Sequence, residues 1–222
     1  MSSNETELVG ALCTRRPLAV SLLHRHGIGT DPTRSLDAAC GERGLEPADL
    51  LRELAYEEDQ LAGPWRTRPV AELLDHIVRT YHRPFDAELA TAAAAIAAAR
   101  PPAGDPRQPM WAELDRQLGE LRADMEQHMT KEERVLFPWL RGRAETAGAP
   151  IRAMQLEHAD TIQLLHAIHA AAGRWTAAGP HGAPPHALVA QLAHVESWLC
   201  DHIHLESNEL FPRALETESP RR

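Results

Sequence analysis

The segment His128-Met129-Thr130-Lys131-Glu132-Glu133-Arg134-Val135-Leu136-Phe137-Pro138 returns later in the chain as His202-Ile203-His204-Leu205-Glu206-Ser207-Asn208-Glu209-Leu210-Phe211-Pro212. Both copies read H-x-x-x-E-x-x-x-L-F-P. Four residues of α-helix advance about 6 Å and return to nearly the same face, so the histidine and glutamate of each copy can reach one point. A single i,i+4 polar pair is an ordinary feature of helix surfaces. The repetition of the whole pattern is not. His82 and His158 are separated by nearly the same length of chain as the two copies, so each half supplies a similar helical hairpin, and an internal duplication is the economical explanation.

Working outward, helical periodicity covers about 69–99, 107–145, 149–175 and 185–216, interrupted by Pro- and Gly-rich stretches at 101–106, 148–150 and 179–185. Leu114, Leu118, Leu121, Met125, His128 and Glu132 follow a three-or-four spacing, a stripe that begins in leucine and ends in metal-type ligands. Short connections favour antiparallel neighbours, so the expected fold is all-α: an antiparallel four-helix bundle preceded by a small helical N-terminal domain. The break at 62–69 sets the expected boundary between residues 1–62 and 63–222. Within the first part, the stretch 27–32 is a turn, Ser35 caps a short helix that stops at Gly41 or Gly44, and Pro47 sits in the first turn of the next.

Composition agrees with this architecture and excludes others. The chain has 222 residues and is 43% hydrophobic but only 5% aromatic, which favours packed helices over sheets. A formal charge of −9, from 23 basic and 32 acidic residues, argues against a nucleic-acid partner. No stretch is long and apolar enough for a signal or a membrane span, so a cytoplasmic location without membrane association is expected. Three widely spaced cysteines, Cys13, Cys40 and Cys200, offer neither a disulfide framework nor a thiolate zinc site. Histidine, in contrast, occurs 13 times.

Two His/Glu pairs on facing helices bring carboxylates that can bridge two ions, and a histidine from each remaining helix caps its side. The expected metal ligands are therefore His82, His128, Glu132, His158, His202 and Glu206. Imidazole and carboxylate without thiolate suit iron or manganese better than structural zinc. His76, Asp124, Glu157 and His204 are candidates for orienting those ligands or passing protons. His24, His26, His166, His169, His181, His186 and His194 lack a partner pattern and read as solvated or structural. Phe137, Phe211, Trp139 and Trp198 read as core.

These residues resemble the hemerythrin-like di-iron proteins, and among them the iron–sulfur cluster repair di-iron proteins. The similarity runs through Leu74-Asp75-His76-Ile77, Tyr81-His82, His128 to Pro138, Leu156-Glu157-His158 and Asp201 to Leu215. It continues in the N-terminal part through Arg16-Pro17-Leu18-Ala19, His26-Gly27-Ile28 and Ser35-Leu36-Asp37-Ala38-Ala39-Cys40. Carried over residue by residue, the family's iron ligands fall on the same six positions, and the implied cofactor is two iron ions in an oxo- and carboxylate-bridged centre. Oxygen-carrying hemerythrins have a further histidine one turn after the third-helix ligand, where this chain has Ile162. The repair proteins usually carry adjacent cysteines just after the Gly-Ile step, where this chain has Gly29-Thr30-Asp31-Pro32.

The resemblance implies a non-haem di-iron protein that binds or reacts with nitric oxide, oxygen or peroxide in nitrosative or oxidative stress, linked to iron–sulfur cluster repair. Apo iron–sulfur proteins and an electron donor are the implied partners, and turnover would make it a di-iron oxidoreductase. Three other readings predict different behaviour: a hemerythrin-like oxygen or nitric oxide carrier or sensor takes one load per site, an iron donor or store releases metal, and a helical interaction module binds no metal.

Overall fold

The computed structural model describes residues 7–142, 147–177 and 186–218. The break expected at 179–185, with His181, and the helix end expected at 145 lie outside these residues. Four helices come first: α1 (Val9–Arg15), α2 (Leu18–Arg25), α3 (Leu36–Gly41) and α4 (Pro47–Ala62). Ser35 Oγ accepts the Ala38 amide at the start of α3, Pro47 opens α4, and Gly44 takes the chain out of α3 at φ +67°, a conformation that favours glycine.

The bundle has four limbs. Limb one joins α5 (Val70–Ile77) to α6 (Phe85–Ala99), limb two joins α7 (Gln108–Lys131) to α8 (Phe137–Gly142), limb three is α9 (Gly148–Ala177), and limb four joins α10 (His186–His204) to α11 (Phe211–Glu218). α6 packs on α7, α7 on α9, α9 on α10 and α10 back on α6, which closes the ring. The N-terminal helices cover one side: α2 lies on α10 and α1 on α9. Among the described residues the isolated bridge Leu8–Ser35 is the one strand-like pairing, and no helix is long and apolar enough to cross a membrane.

Three of the four limbs are not continuous α-helices. Each passes through a π-helical turn, at Val78–His82, Glu132–Leu136 and Leu205–Leu210. The cause is common to all three. Pro84, Pro138 and Pro212 have no N–H to give to the carbonyl four residues back, and a proline ring clashes there. In each limb the residue just before the proline donates instead to a carbonyl five residues back: Arg83 to Val78, Phe137 to Glu132 and Phe211 to Glu206. A π-turn holds one extra residue and so turns the side chains on either side relative to one another.

Two apolar clusters fill the interior. One contains Phe85, Leu89, Met125, Met129, Ile162 and Ile203 of the bundle together with residues of all four N-terminal helices, such as Leu12, Leu22, Leu36 and Leu54. The other gathers Leu74, Tyr81, Phe137, Met154, Leu205 and Phe211 at the opposite end. Between them lies a layer of buried polar side chains. Phe137 and Phe211 are buried as expected, Trp198 is half-buried against Tyr81 and Phe85, but Trp139 is 41% exposed and does not belong to the core. As part of α8, it follows the turn set by Pro138, so simple helical spacing misplaces it.

Candidate metal centre

The polar layer between the apolar clusters contains His82, His128, Glu132, His158, His202 and Glu206, and all six are buried. Limb one contributes His82, limb two His128 and Glu132, limb three His158, and limb four His202 and Glu206. Their ligand atoms fall into two groups, His82 with His202 and His128 with His158, and both glutamates belong to both groups. The atoms of each group lie within 4.8 Å of one another.

The carboxylates span the two groups. Glu206 Oε1 is 3.0 Å from His202 Nε2, while Glu206 Oε2 is 3.1 Å from His158 Nε2. Glu132 Oε2 is 3.5 Å from His82 Nε2 and 3.4 Å from His128 Nε2. Imidazoles also face each other, with Nε2 atoms 3.2 Å apart in the first group and 3.1 Å apart in the second.

A chain of contacts fixes the other face of three rings. His82 Nδ1 donates to Glu133 of limb two at 3.1 Å, and His128 Nδ1 donates to Glu157 of limb three at 3.0 Å. His158 Nδ1 pairs with Ser207 Oγ of limb four at 2.8 Å. Each limb is thus joined to the next through a histidine. The two carboxylates are held in turn by cations, Glu133 by Arg83 at 2.6 Å and Glu157 by Lys131 at 2.6 Å. With Nδ1 engaged, each ring turns Nε2 toward the centre, the arrangement by which outer carboxylates orient metal-binding histidines.

Whether a cation fits is decided by the inward atoms. Among the described residues, both oxygens of Glu132 and Oε2 of Glu206 are buried and make no aligned hydrogen bond, although imidazole nitrogens face them. Buried carboxylate oxygens left so are costly unless a cation compensates them, and opposed Nε2 atoms repel unless something positive lies between. The donor set, four imidazole nitrogens and two carboxylates without thiolate, fits a pair of first-row transition ions. Protons take their place in the metal-free protein. Burial opposes charge on His82 and His128, but the nearby carboxylates, Glu206 and Glu132 foremost, outweigh it and raise both imidazoles. Burial instead prevails at His158 and lowers it. Glu206 is held well below the usual carboxylate range, burial being outweighed by His202 and the other imidazoles. Metal uptake at such a site releases protons.

Of the four residues expected to support the ligands, Glu157 is in contact with one, and His128 pulls its carboxyl down to about 2. Asp124 is exposed on α7, and it lines a cavity of about 190 Å³ together with His128, Lys131 and Glu157. His76 packs on Trp65 at 4.4 Å and pairs with Thr80, and His204 lies 4.0 Å from Glu58 of α4. Neither joins the two groups. Glu133 and Ser207 escaped sequence reasoning, although both sit beside a ligand in the chain. His24 and His169, read from sequence as lacking partners, instead meet at Glu196 where α2 covers the bundle, with His166 edge-on to His24. Sequence spacing does not show this cluster because its members come from three different helices.

A second opening reaches the layer from the N-terminal side. A cleft of about 830 Å³ is lined by Gly10, Thr14 and Pro32 on one wall and by Gln155, His158 and Ser207 on the other.

Comparison with known proteins agrees with this geometry. The model of the hemerythrin HHE cation-binding domain matches residues 73–214, a span that contains all six buried ligand-type residues. The iron-sulfur cluster repair protein YtfE of Citrobacter koseri is 31% identical over 217 residues, covering 95% of this chain and 97% of that protein. The YtfE proteins of Escherichia coli and Shigella boydii show the same identity and coverage. The chain therefore belongs to the hemerythrin HHE cation-binding family, and it resembles the iron–sulfur cluster repair proteins over nearly its whole length.

Proposed function

We propose that this is a cytoplasmic non-haem di-iron protein of the nitrosative and oxidative stress response, which reacts with nitric oxide, oxygen or peroxide and serves iron–sulfur cluster repair. The observation that carries this reading is the pair of ligand groups sharing both glutamates, with three buried carboxylate oxygens that make no aligned hydrogen bond among the described residues. His82, His202, Glu132 and Glu206 would hold one ion; His128, His158 and the same glutamates would hold the other. When bound, two irons supply electron exchange and Lewis-acid binding of a small ligand. The chain's own residues do the rest. Glu133, Glu157 and Ser207 hold the ring orientations, the apolar clusters on either side keep bulk water from the layer, and Glu157, half-exposed, can pass a proton between solvent and His128 Nδ1. The cleft beside His158 gives a small ligand a way in.

The division at residue 62 into an N-terminal module and a di-iron bundle is part of this proposal, as is the link to apo iron–sulfur proteins and an electron donor. Thiol exchange has no place in it. The cysteines are buried and free, and burial pushes the Cys13 thiol up to about 12.

Iron content with kinetics tests the proposal. Wild-type protein loaded anaerobically should hold close to two irons per chain and, with reductant, consume many equivalents of nitric oxide or peroxide. Glu132→Ala should lose most of the iron and the turnover together. Unchanged iron in that variant would remove Glu132 from the site. Consumption that stops at one load per site would make the protein a carrier or sensor.

A further inference from the structure

A second cluster of metal-type side chains lies outside the polar layer, where the N-terminal helices meet the bundle. His24 at the end of α2, His169 on α9 and Glu196 on α10 each offer an atom within 4.8 Å of the others. Both Glu196 oxygens are 2.8 Å from His24 Nδ1, and Oε2 is 3.6 Å from His169 Nδ1. The carboxylate is 5% exposed. His24 Nε2 lies 3.0 Å from Thr30 Oγ1, a hydroxyl that can donate to Nε2 while Nδ1–H is bound to the carboxylate and can accept from Nε2–H once an ion takes the place of the Nδ1 proton. His166 stands edge-on to His24, with ring centroids 6.4 Å apart, and among the described residues neither of its buried nitrogens has a hydrogen-bond partner.

Charge is unbalanced in this pocket. The imidazoles hold the Glu196 carboxyl below its usual range against the effect of burial. Burial meanwhile opposes charge on His24 and takes His166 down to about 4. A buried carboxylate with two imidazole nitrogens converging on it is a donor set that a cation can compensate.

We propose that His24, His169 and Glu196 form a mononuclear site for a divalent first-row transition ion, which clamps α2 to α9 and α10. Two imidazole nitrogens and a carboxylate able to chelate through both oxygens make the donor set, and the hydrogen bond from His24 Nε2–H to Thr30 fixes the ring behind it. The rings of His24 and His169 lie face to face, 3.2 Å between centroids and 10° from parallel. Parallel rings cannot both aim a lone pair at one ion, so His169 must tilt. Its side chain is 43% exposed, which leaves the ring free to turn. The same exposure gives the ion its entry.

Cobalt(II) is the probe, added anaerobically to full-length protein whose bundle already carries iron, with iron content followed throughout. Wild type should take up one further ion per chain with visible ligand-field bands. His169→Ala and Glu196→Gln should each weaken that uptake at least tenfold while bundle iron stays at the wild-type level. Glu132→Ala should show the reverse, losing bundle iron and keeping the cobalt bands, so the two sites fail separately. Absence of the additional equivalent in wild type, or bands that survive either substitution, would overturn the proposal. Should Glu196→Gln not fold, His169→Ala, at a half-exposed position, decides alone.

Discussion

His82, His128 and His158 each use Nδ1 to hold a side chain of the next limb, and each of those partners is the chain neighbour of a ligand-type residue: Glu133 beside Glu132, Glu157 beside His158, Ser207 beside Glu206. The ligand-type residues themselves were legible because i,i+4 spacing on a helix fixes a shared face. Their supports were only partly so, since which of several neighbouring polar residues meets a ring depends on how the limbs are rotated. Glu157 and Asp124 were equal candidates from sequence, and the structure separates them. Glu157→Ala should weaken iron binding about 10- to 100-fold, because His128 loses its orienting acceptor, whereas Asp124→Ala should leave it unchanged; competition with a chelator of known affinity measures both. His166 yields a pH prediction. Burial, with His24 nearby, lowers its folded value to about 4, while the unfolded chain keeps the ordinary 6.5. The folded state is thus the poorer proton binder. The stability this contributes is fully present above pH 6.5 and is lost as pH falls toward 4, by roughly 2–3 kcal/mol. Denaturant titrations under chelator should therefore find that His166→Leu loses less stability than wild type between pH 7.5 and 4.5. Equal losses would mean that His166 does not stay neutral in the fold.

At the scale of elements, the four limbs could be read from periodicity, but their interruptions could not, although the signal was printed in the repeat. In the sequence the L-F-P ending of each copy reads only as part of the internal repeat. Its physical content is that proline removes a donor, and the preceding phenylalanine then donates five residues back to the carbonyl of Glu132 or Glu206. Pro84 does the same after His82. α9, which has no proline after His158, runs through the site as one helix. The extra residue in each π-turn re-aims the side chains that follow, and this lets Glu132 and Glu206 face the centre while Phe137 and Phe211 still enter the far core. Pro138→Ala restores an N–H for the Arg134 carbonyl and should draw the turn toward α-helical pairing. The metal-free protein should gain about 1 kcal/mol or more in stability, and iron affinity should fall at least tenfold. Denaturation under chelator and competitive iron binding check the two halves. A variant that binds iron as wild type does would show that the π-turn is not needed for ligand placement.

Over the whole molecule, the six inward-facing polar side chains interrupt what would otherwise be one continuous core. The apolar cluster on one side is shared by bundle and N-terminal helices, so that end is tied together by contacts from eight helices; the far cluster has no such cover from α1, α2 and α3. Hydrophobic patterning announced the bundle, but not where the module would sit, because the apolar run Leu18 to Leu23 says that α2 is covered without saying by what. The asymmetry predicts how the protein loosens when metal is removed. Ions that bind only the folded state stabilise it by mass action, so chelation should lower the melting temperature while leaving most of the helical signal. Without the ions, two carboxylates and four imidazoles remain packed in the layer with protons as their only compensation, and the strain falls on the elements that join there. Amide hydrogen exchange should therefore rise most in the three π-turns and in α5, α8 and α11 beyond them, and least in α6, α7 and α10, which the shared core holds. A uniform rise along every limb would mean that the two clusters unfold as one unit, with no mechanical division at the polar layer.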